Sequence, residues 1–388
     1  MWRIALLLLV IVTSTIAPAF AQVEARKPST RMRVYVGTYT GTKSKGVYKL
    51  DFDATTGALS PSTLAAETPS PSFLAIHPGG KFLYAANEVG RFEGKPTGSI
   101  SAFGIDPKTG DLTALNQKPS GGADPCYVLV DPTGWNALAA NYSGGSIEVL
   151  PIGPDGSLGD PTSTIQHKGS SVDGARQSAP HAHAIDLDAS GRLAVAADLG
   201  LDKLMVYRFD PAKGTLEPNA TPFAQATPGS GPRHFAFHPD GKHAYAINEM
   251  SCTVTAYDFD PVKGQLAEIQ AISTKASANS PGNSTAEILV HPSGKFVYGS
   301  NRGEDSLAIY AVDEKSGKLT LVGHQTTGGK TPRSFGIDPT GRFLIAANQN
   351  SDTVVVFRVD LKTGLLAQVG EPVAVPSPVC IKFLPIGG

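Results

Sequence analysis

The chain is poor in cysteine, in aromatic residues, in surplus charge and, past its first residues, in long apolar runs. Three cysteines, Cys126, Cys252 and Cys380, stand in 388 residues. An odd, widely spaced set excludes a complete disulfide framework and matches no zinc-ligand spacing, so buried free thiols in strands are expected. The core must then hold without covalent staples, which a chain of this length allows. A formal net charge of −1 gives no electrostatic reason to expect nucleic acid or an anionic membrane surface as partner. No attachment pattern for haem, flavin or quinone is present, and no cofactor is expected. What the chain has in quantity is glycine and proline, 42 and 30 residues, the signature of many tight turns.

The long apolar run is at the start. Arg3 precedes Ile4–Val12, and Ala19-Phe20-Ala21 follows as a small-x-small site. This reads as a secretory signal peptide over residues 1–21, cleaved after Ala21. The run is shorter than the roughly 20 residues of a membrane-spanning helix. The mature protein is therefore expected outside the cytoplasm, periplasmic or extracellular, without an integral membrane segment. Residues 22–31 read as a flexible lead-in, and residues 32–388 as one domain.

That domain is a repeat. PSFLAIHPGGKFLYAANE (Pro71–Glu88) returns as PCYVLVDPTGWNALAANY, AHAIDLDASGRLAVAADL, PRHFAFHPDGKHAYAINE, TAEILVHPSGKFVYGSNR and PRSFGIDPTGRFLIAANQ. Each copy has two apolar arms of strand length around a turn ending in glycine, the pattern of a β-hairpin. A second unit follows each, as in SISAFGIDPKTGDLT or TVTAYDFDPVKGQLA. Its period-two alternation and its Asp-x-x-x-Gly turn mark a third and fourth strand. Four antiparallel strands in about 46–57 residues is the content of a propeller blade. The ends complete the count. RMRVYVGTYT and GVYKLDFDATTGALS lack a first strand, and PVCIKFLPI near the C-terminus has nothing after it. Joined, they make a seventh blade, and closure removes the exposed edges of a linear array. The expected fold is an all-β, seven-bladed β-propeller.

With the turn glycine as reference, one slot lies eight residues before it and another eight after, both on the rim opposite the turn. The first holds Ser72, Cys126, His183, Arg233, Ala286 and Arg333; the second holds Glu88, Tyr142, Leu199, Glu249, Arg302 and Gln349. Just before the second slot stand Asn87, Asn141, Asp198, Asn248, Asn301 and Asn348, a near-uniform set expected to satisfy backbone groups at strand ends. Departures from the repeat carry the chemistry. Arg233, Arg302 and Arg333 offer planar forks for carboxylate or phosphate oxygens. Glu249 or His183 is placed to activate a water, and an arginine to stabilise an oxyanion. Asp198, across the hairpin from His183, is placed to orient its ring. His181 and His183 share a face as a possible metal pair, but no third ligand stands out, and no metal is expected. His234 should face away from the funnel and pack. The long loop His167–His183 reads as a lid or a mobile segment, with Arg176 as a further anion contact. The alternative use of these charges is structural, as salt bridges at a tunnel mouth.

The chain resembles the seven-bladed β-propeller lactonases, which include 6-phosphogluconolactonases and fungal carboxymuconate-lactonizing enzymes. The blade repeat, VYVGTYT with a following GVY, the GPRH segment, and the NE and SNR strand ends carry the likeness. It implies a His, an Arg, a Glu and a second Arg as the working set: His183 (or His181), Arg233, Glu249 and Arg302, with Arg333 from TPR. It implies a small-molecule lactone as partner. The expectation is a monomeric, exported lactone hydrolase acting on a sugar lactone or another anionic lactone. A lactone-forming enzyme and a non-catalytic binding propeller are the alternatives. An export signal conflicts with a phosphorylated sugar of cytosolic metabolism as substrate.

Overall fold

A computed structural model describes residues 29–278 and 280–386; the expected signal peptide and most of the lead-in lie outside the described residues. Seven antiparallel sheets form the ring. Blade 1 comprises Pro71–Ile76, Phe82–Asn87, Ser99–Ile105 and Leu112–Pro119; blade 4 comprises Pro232–Phe237, His243–Asn248, Thr253–Asp260 and Gln265–Ser273. Blades 2, 3, 5 and 6 begin at Pro125, Ala182, Ser284 and Pro332 with the same strand order. Blade 7 takes its first strand, Pro378–Pro385, from the C-terminal end and the rest, from Arg31–Thr38 onward, from the N-terminal end. Val34 pairs with Phe383 and Val36 with Ile381 across that seam. The first strands of successive blades contact one another around the ring, so they line the central tunnel.

Repeated latches hold neighbouring blades together. Tyr84, Tyr245 and Tyr298, each on a second strand, donate to the carbonyls of Gly156, Gly317 and Gly364 in the next blade, at 2.9, 2.9 and 2.8 Å. Tyr35 does the same across the seam, to Gly110 at 2.9 Å. At the hairpin turns His77, His238 and His291 bond the carbonyls of Gly134, Gly294 and Gly341. The expected role of the asparagines holds: Asn141, Asn301 and Asn348 donate to the carbonyls of Ser120, Thr274 and Thr327. All three cysteines are buried and free.

One feature departs from regular pleating. In every blade the pairing of the first two strands slips at the rim away from the turn. In blade 4, Pro232 faces Asn248 and His234 faces Ile247, which leaves Arg233 without a partner. The same slip occurs at Ser72, His183 and Arg333. A β-bulge of this kind sets two successive residues against one and re-aims side chains.

Candidate active site

The bulges give the tunnel mouth its shape. Two consecutive side chains of one strand, Ser72 with Phe73 or Arg233 with His234, line the same hollow. Above it opens a cavity of about 250 Å³ walled by Tyr39, Glu88, Cys126, Tyr142, Arg176, His183, Glu249, Arg302 and Arg333. Tyr39 completes the second slot in the split blade, since Thr38 pairs with Pro378 as Asn87 pairs with Pro71. The tunnel narrows beneath to about 10 Å³. Phe73 stacks on Tyr127 at 4.1 Å and His234 stands edge-on to both, closing the floor.

Glu249 is the hub. Its Oε2 accepts from Arg233 Nε at 3.1 Å and pairs with Arg302 Nη2 at 2.9 Å, and its Oε1 accepts from Arg176 Nη2 at 2.6 Å. Burial alone would raise this carboxyl, but Arg302 and Arg233, with Arg176 beyond, outweigh it and hold it at about 2. Arg233 is 2% exposed and also donates from Nη1 to the Ala286 carbonyl at 2.7 Å. Burial, with Arg333 and Arg302 nearby, brings it down to about 10. On the far wall Tyr39 donates to Glu88 Oε2 at 2.8 Å, and Arg333 lies over the Tyr39 ring and 4.0 Å from Glu88 Oε1. Four guanidiniums thus stand against two carboxylates, an excess of two positive charges around one mouth.

His183 lies in the wall between these groups. Its Nδ1 is 3.5 Å from Cys126 Sγ, and its ring stands edge-on to Tyr142. Among the described residues its Nε2 has no hydrogen-bond partner. Burial, then the charges of Arg233 and His234, push it well below the usual histidine range, so it is a neutral imidazole at pH 7. Burial likewise raises the Cys126 thiol, which keeps it protonated.

His183, Arg233, Glu249, Arg302 and Arg333 therefore converge, while two expected partners do not join them. Asp198 is fully buried, and its oxygens are taken by His167 Nδ1 at 2.6 Å and the His181 and Leu201 backbone N–H groups. It braces the start of the blade rather than the His183 ring, because the bulge carries His183 away from the pair Ala182–Asp198. His181 stacks on Tyr142 at 4.4 Å and spends Nδ1 on the Tyr142 carbonyl.

His234 is a correction in the other direction. Strict alternation turned it outward, but the bulge turns it in. Its Nε2 accepts from Arg233 Nη1 at 3.2 Å and its Nδ1 donates to Glu287 Oε1 at 2.7 Å. Ser334 holds the other Glu287 oxygen at 3.1 Å. Burial lowers His234 to about 4, against the pull of Glu287. This chain from Ser334 through Glu287 and His234 fixes the back of Arg233, and Glu287 was missed because one slot per strand was read. The loop before His183 is pinned: Gln177, fully buried, donates to the Leu199 carbonyl, and Ser171 to Asp202. It sets Arg176 over Glu249 and within 3.2 Å of the Tyr142 hydroxyl.

The family described as "Lactonase, 7-bladed beta-propeller" matches residues 33–383. The 6-phosphogluconolactonase of Bacillus subtilis strain 168 is 39% identical over 90% of this chain and 97% of its own. The 6-phosphogluconolactonase of Formosa agariphila is 33% identical over 78% of this chain and 86% of its own. The solved structure of the periplasmic gluconolactonase PpgL of Pseudomonas aeruginosa superposes with a TM-score of 0.86 at 34% identity, covering 92% of this chain and all of that one. With its fold, its funnel and these relatives together, the chain belongs to the seven-bladed β-propeller lactonases and is an enzyme of that family.

Proposed function

We propose that the protein hydrolyses sugar lactones outside the cytoplasm, by water attack in the funnel with His183 as general base. The observation that carries this reading is the contrast between His183 and Glu249. Glu249 is held near 2 by three guanidiniums, so its basicity is already spent. His183 is neutral, lines the cavity, and keeps its Nε2 free of any hydrogen-bond partner among the described residues. Water adds to the lactone carbonyl carbon while Nε2 takes its proton. The oxyanion forms against the guanidiniums of the mouth, preorganised by Glu249 and by the Glu287–His234 pair. When the tetrahedral species collapses, the ring oxygen leaves and recovers the proton from His183. The product acid ionises and releases one proton. The excess positive charge stabilises the developing oxyanion and the carboxylate product.

Export rests on the Arg3 to Ala21 pattern, and the periplasmic gluconolactonase among the relatives is in keeping with it. An unphosphorylated aldonolactone is then the fitting substrate class. The test is acid release in a pH-stat by the mature protein on gluconolactone and on 6-phosphogluconolactone, with spontaneous hydrolysis subtracted. Acceleration on gluconolactone at least equal to that on the phosphate ester supports the reading. Strong preference for the phosphate ester overturns the substrate class, and background rates on both overturn hydrolysis. A mature N-terminus at Gln22 in the exported fraction, read by mass spectrometry, checks the signal.

A further inference from the structure

The hairpin turns at the other end of the ring each lay one side chain over a glycine of the next blade, Asn136 and Leu193 in blades 2 and 3. The residue two places after the turn glycine is Phe82, Phe296 or Phe343 in blades 1, 5 and 6, and each ring lies over a glycine of the next blade: Gly156, Gly364 and Gly57. In blade 4 the same place, over Gly317, is filled by His243. Phenylalanine, leucine and asparagine all fill this place in other blades, so packing alone does not call for an imidazole. The turn before it is also unlike the others. His238 makes the ordinary latch through Nε2 to the Gly294 carbonyl at 2.7 Å, but a carboxylate, Asp240, stands where blades 1 and 5 have Gly79 and Ser293.

These three side chains meet. Asp240 Oδ1 is 3.0 Å from His238 Nδ1, and Asp240 Oδ2 is 2.7 Å from His243 Nδ1. One ligand atom from each lies within 4.8 Å of the others, the single such group of three among the described residues. Ligand atoms sharing one ion at ~2.1 Å stand roughly 3.0–3.4 Å apart, a spacing that the two imidazole–carboxylate contacts already approach. The outer contacts are those that orient ligands. The His238 ring donates its far nitrogen to a backbone carbonyl, so Nδ1 carries the lone pair, which accepts the Asp240 backbone N–H at 3.2 Å and which a bound ion would take over. The far nitrogen of His243 stands 3.6 Å from Asp258 Oδ1. Metal-bound imidazoles are held by such carbonyl and carboxylate partners. The imidazoles are nearly buried, whereas Asp240 is 29% exposed and leaves an approach from solvent.

We propose that His238, Asp240 and His243 bind a borderline divalent transition metal ion, of the zinc class, on the rim opposite the funnel. Two imidazoles and one carboxylate suit that class rather than magnesium or calcium, which take oxygen ligands. Asp240 and Asp258 together balance its charge.

The test is equilibrium dialysis of the chelator-treated mature protein against zinc, with magnesium as the control, and the variants His243→Phe and Asp258→Asn alongside. His243→Phe restores the ring found in three other blades, so its metal-free melting temperature should match the wild type. Expected are one zinc per wild-type chain, no magnesium, and a loss of affinity of at least about 10-fold in His243→Phe, with about 10-fold in Asp258→Asn. Zinc should raise the melting temperature of the wild type and not that of His243→Phe. Equal zinc binding by wild type and His243→Phe, or none by the wild type, overturns the proposal.

Discussion

The two ends of the same hairpins contrast. At the turn end the glycine recurs in six hairpins, and in three of them a histidine bonds a carbonyl of the next blade, so this end mostly holds the ring closed. At the open end, the asparagines recur but the two slots beside them vary, and the bulges turn successive residues into the funnel. Uniform positions build the ring; the departures carry its chemistry. The lesson reads in both directions, because the turn of blade 4, where two histidines and an aspartate meet, is where a metal site is inferred.

The largest effect should come from the base. His183→Asn keeps a similar volume and a polar tip but removes the proton acceptor, so kcat/KM on gluconolactone should fall by about 10²–10⁴-fold, with the melting temperature little changed. Arg233→Ala should cost both activity and stability. It removes one partner of a buried ion pair, which destabilises by about 3–5 kcal/mol, and denaturant unfolding would read this. Glu287→Gln should lower kcat by a smaller factor, with KM less affected, because it loosens the back of Arg233 without touching substrate. Unchanged kcat and pH profile in this variant would mean that the buried pair serves only the fold. Tyr245→Phe, at a latch, should have the smallest effect: about 1–3 kcal/mol of stability for the Gly317 carbonyl left unpaired, and no change in kcat. A latch variant with a large kcat loss would erase the contrast between the two ends.

The pH dependence of stability follows the same division. His234 falls to about 4 when folded, from an ordinary value of about 6.5. Between those values the unfolded chain binds the extra proton, so stability drops as the pH is lowered through that window. Glu249, held at about 2, stabilises the fold above its unfolded value, and that contribution is lost as the pH falls from about 4.5 toward 2. Melting temperatures across pH 3–7 should decline in both windows, and Glu249→Gln should remove the lower one.

The ring was legible because it is periodic. Six hairpins, their turns and the split seventh blade are all visible as spacing. The five converging side chains were legible as departures from that spacing. What was not legible is what one extra residue per strand does. The bulge undid the alternation that turned His234 outward, separated His183 from Asp198, and hid Glu287. Tyr39 escaped because its blade is divided between the termini. Arg176 could be named from its long loop, but its place over Glu249 depends on contacts of Gln177 and Ser171 that no local pattern announces.

The most direct test of the central claim is the pH–rate profile of kcat/KM on gluconolactone for the wild type, His183→Asn and Glu249→Gln. If the neutral imidazole is the base, the wild-type rate should stay level through neutral pH and fall only below the ordinary histidine range. His183→Asn should lose the rate and that limb, while Glu249→Gln keeps the limb at a reduced rate. A His183→Asn enzyme with wild-type turnover, or a limb lost in Glu249→Gln and kept in His183→Asn, would contradict it.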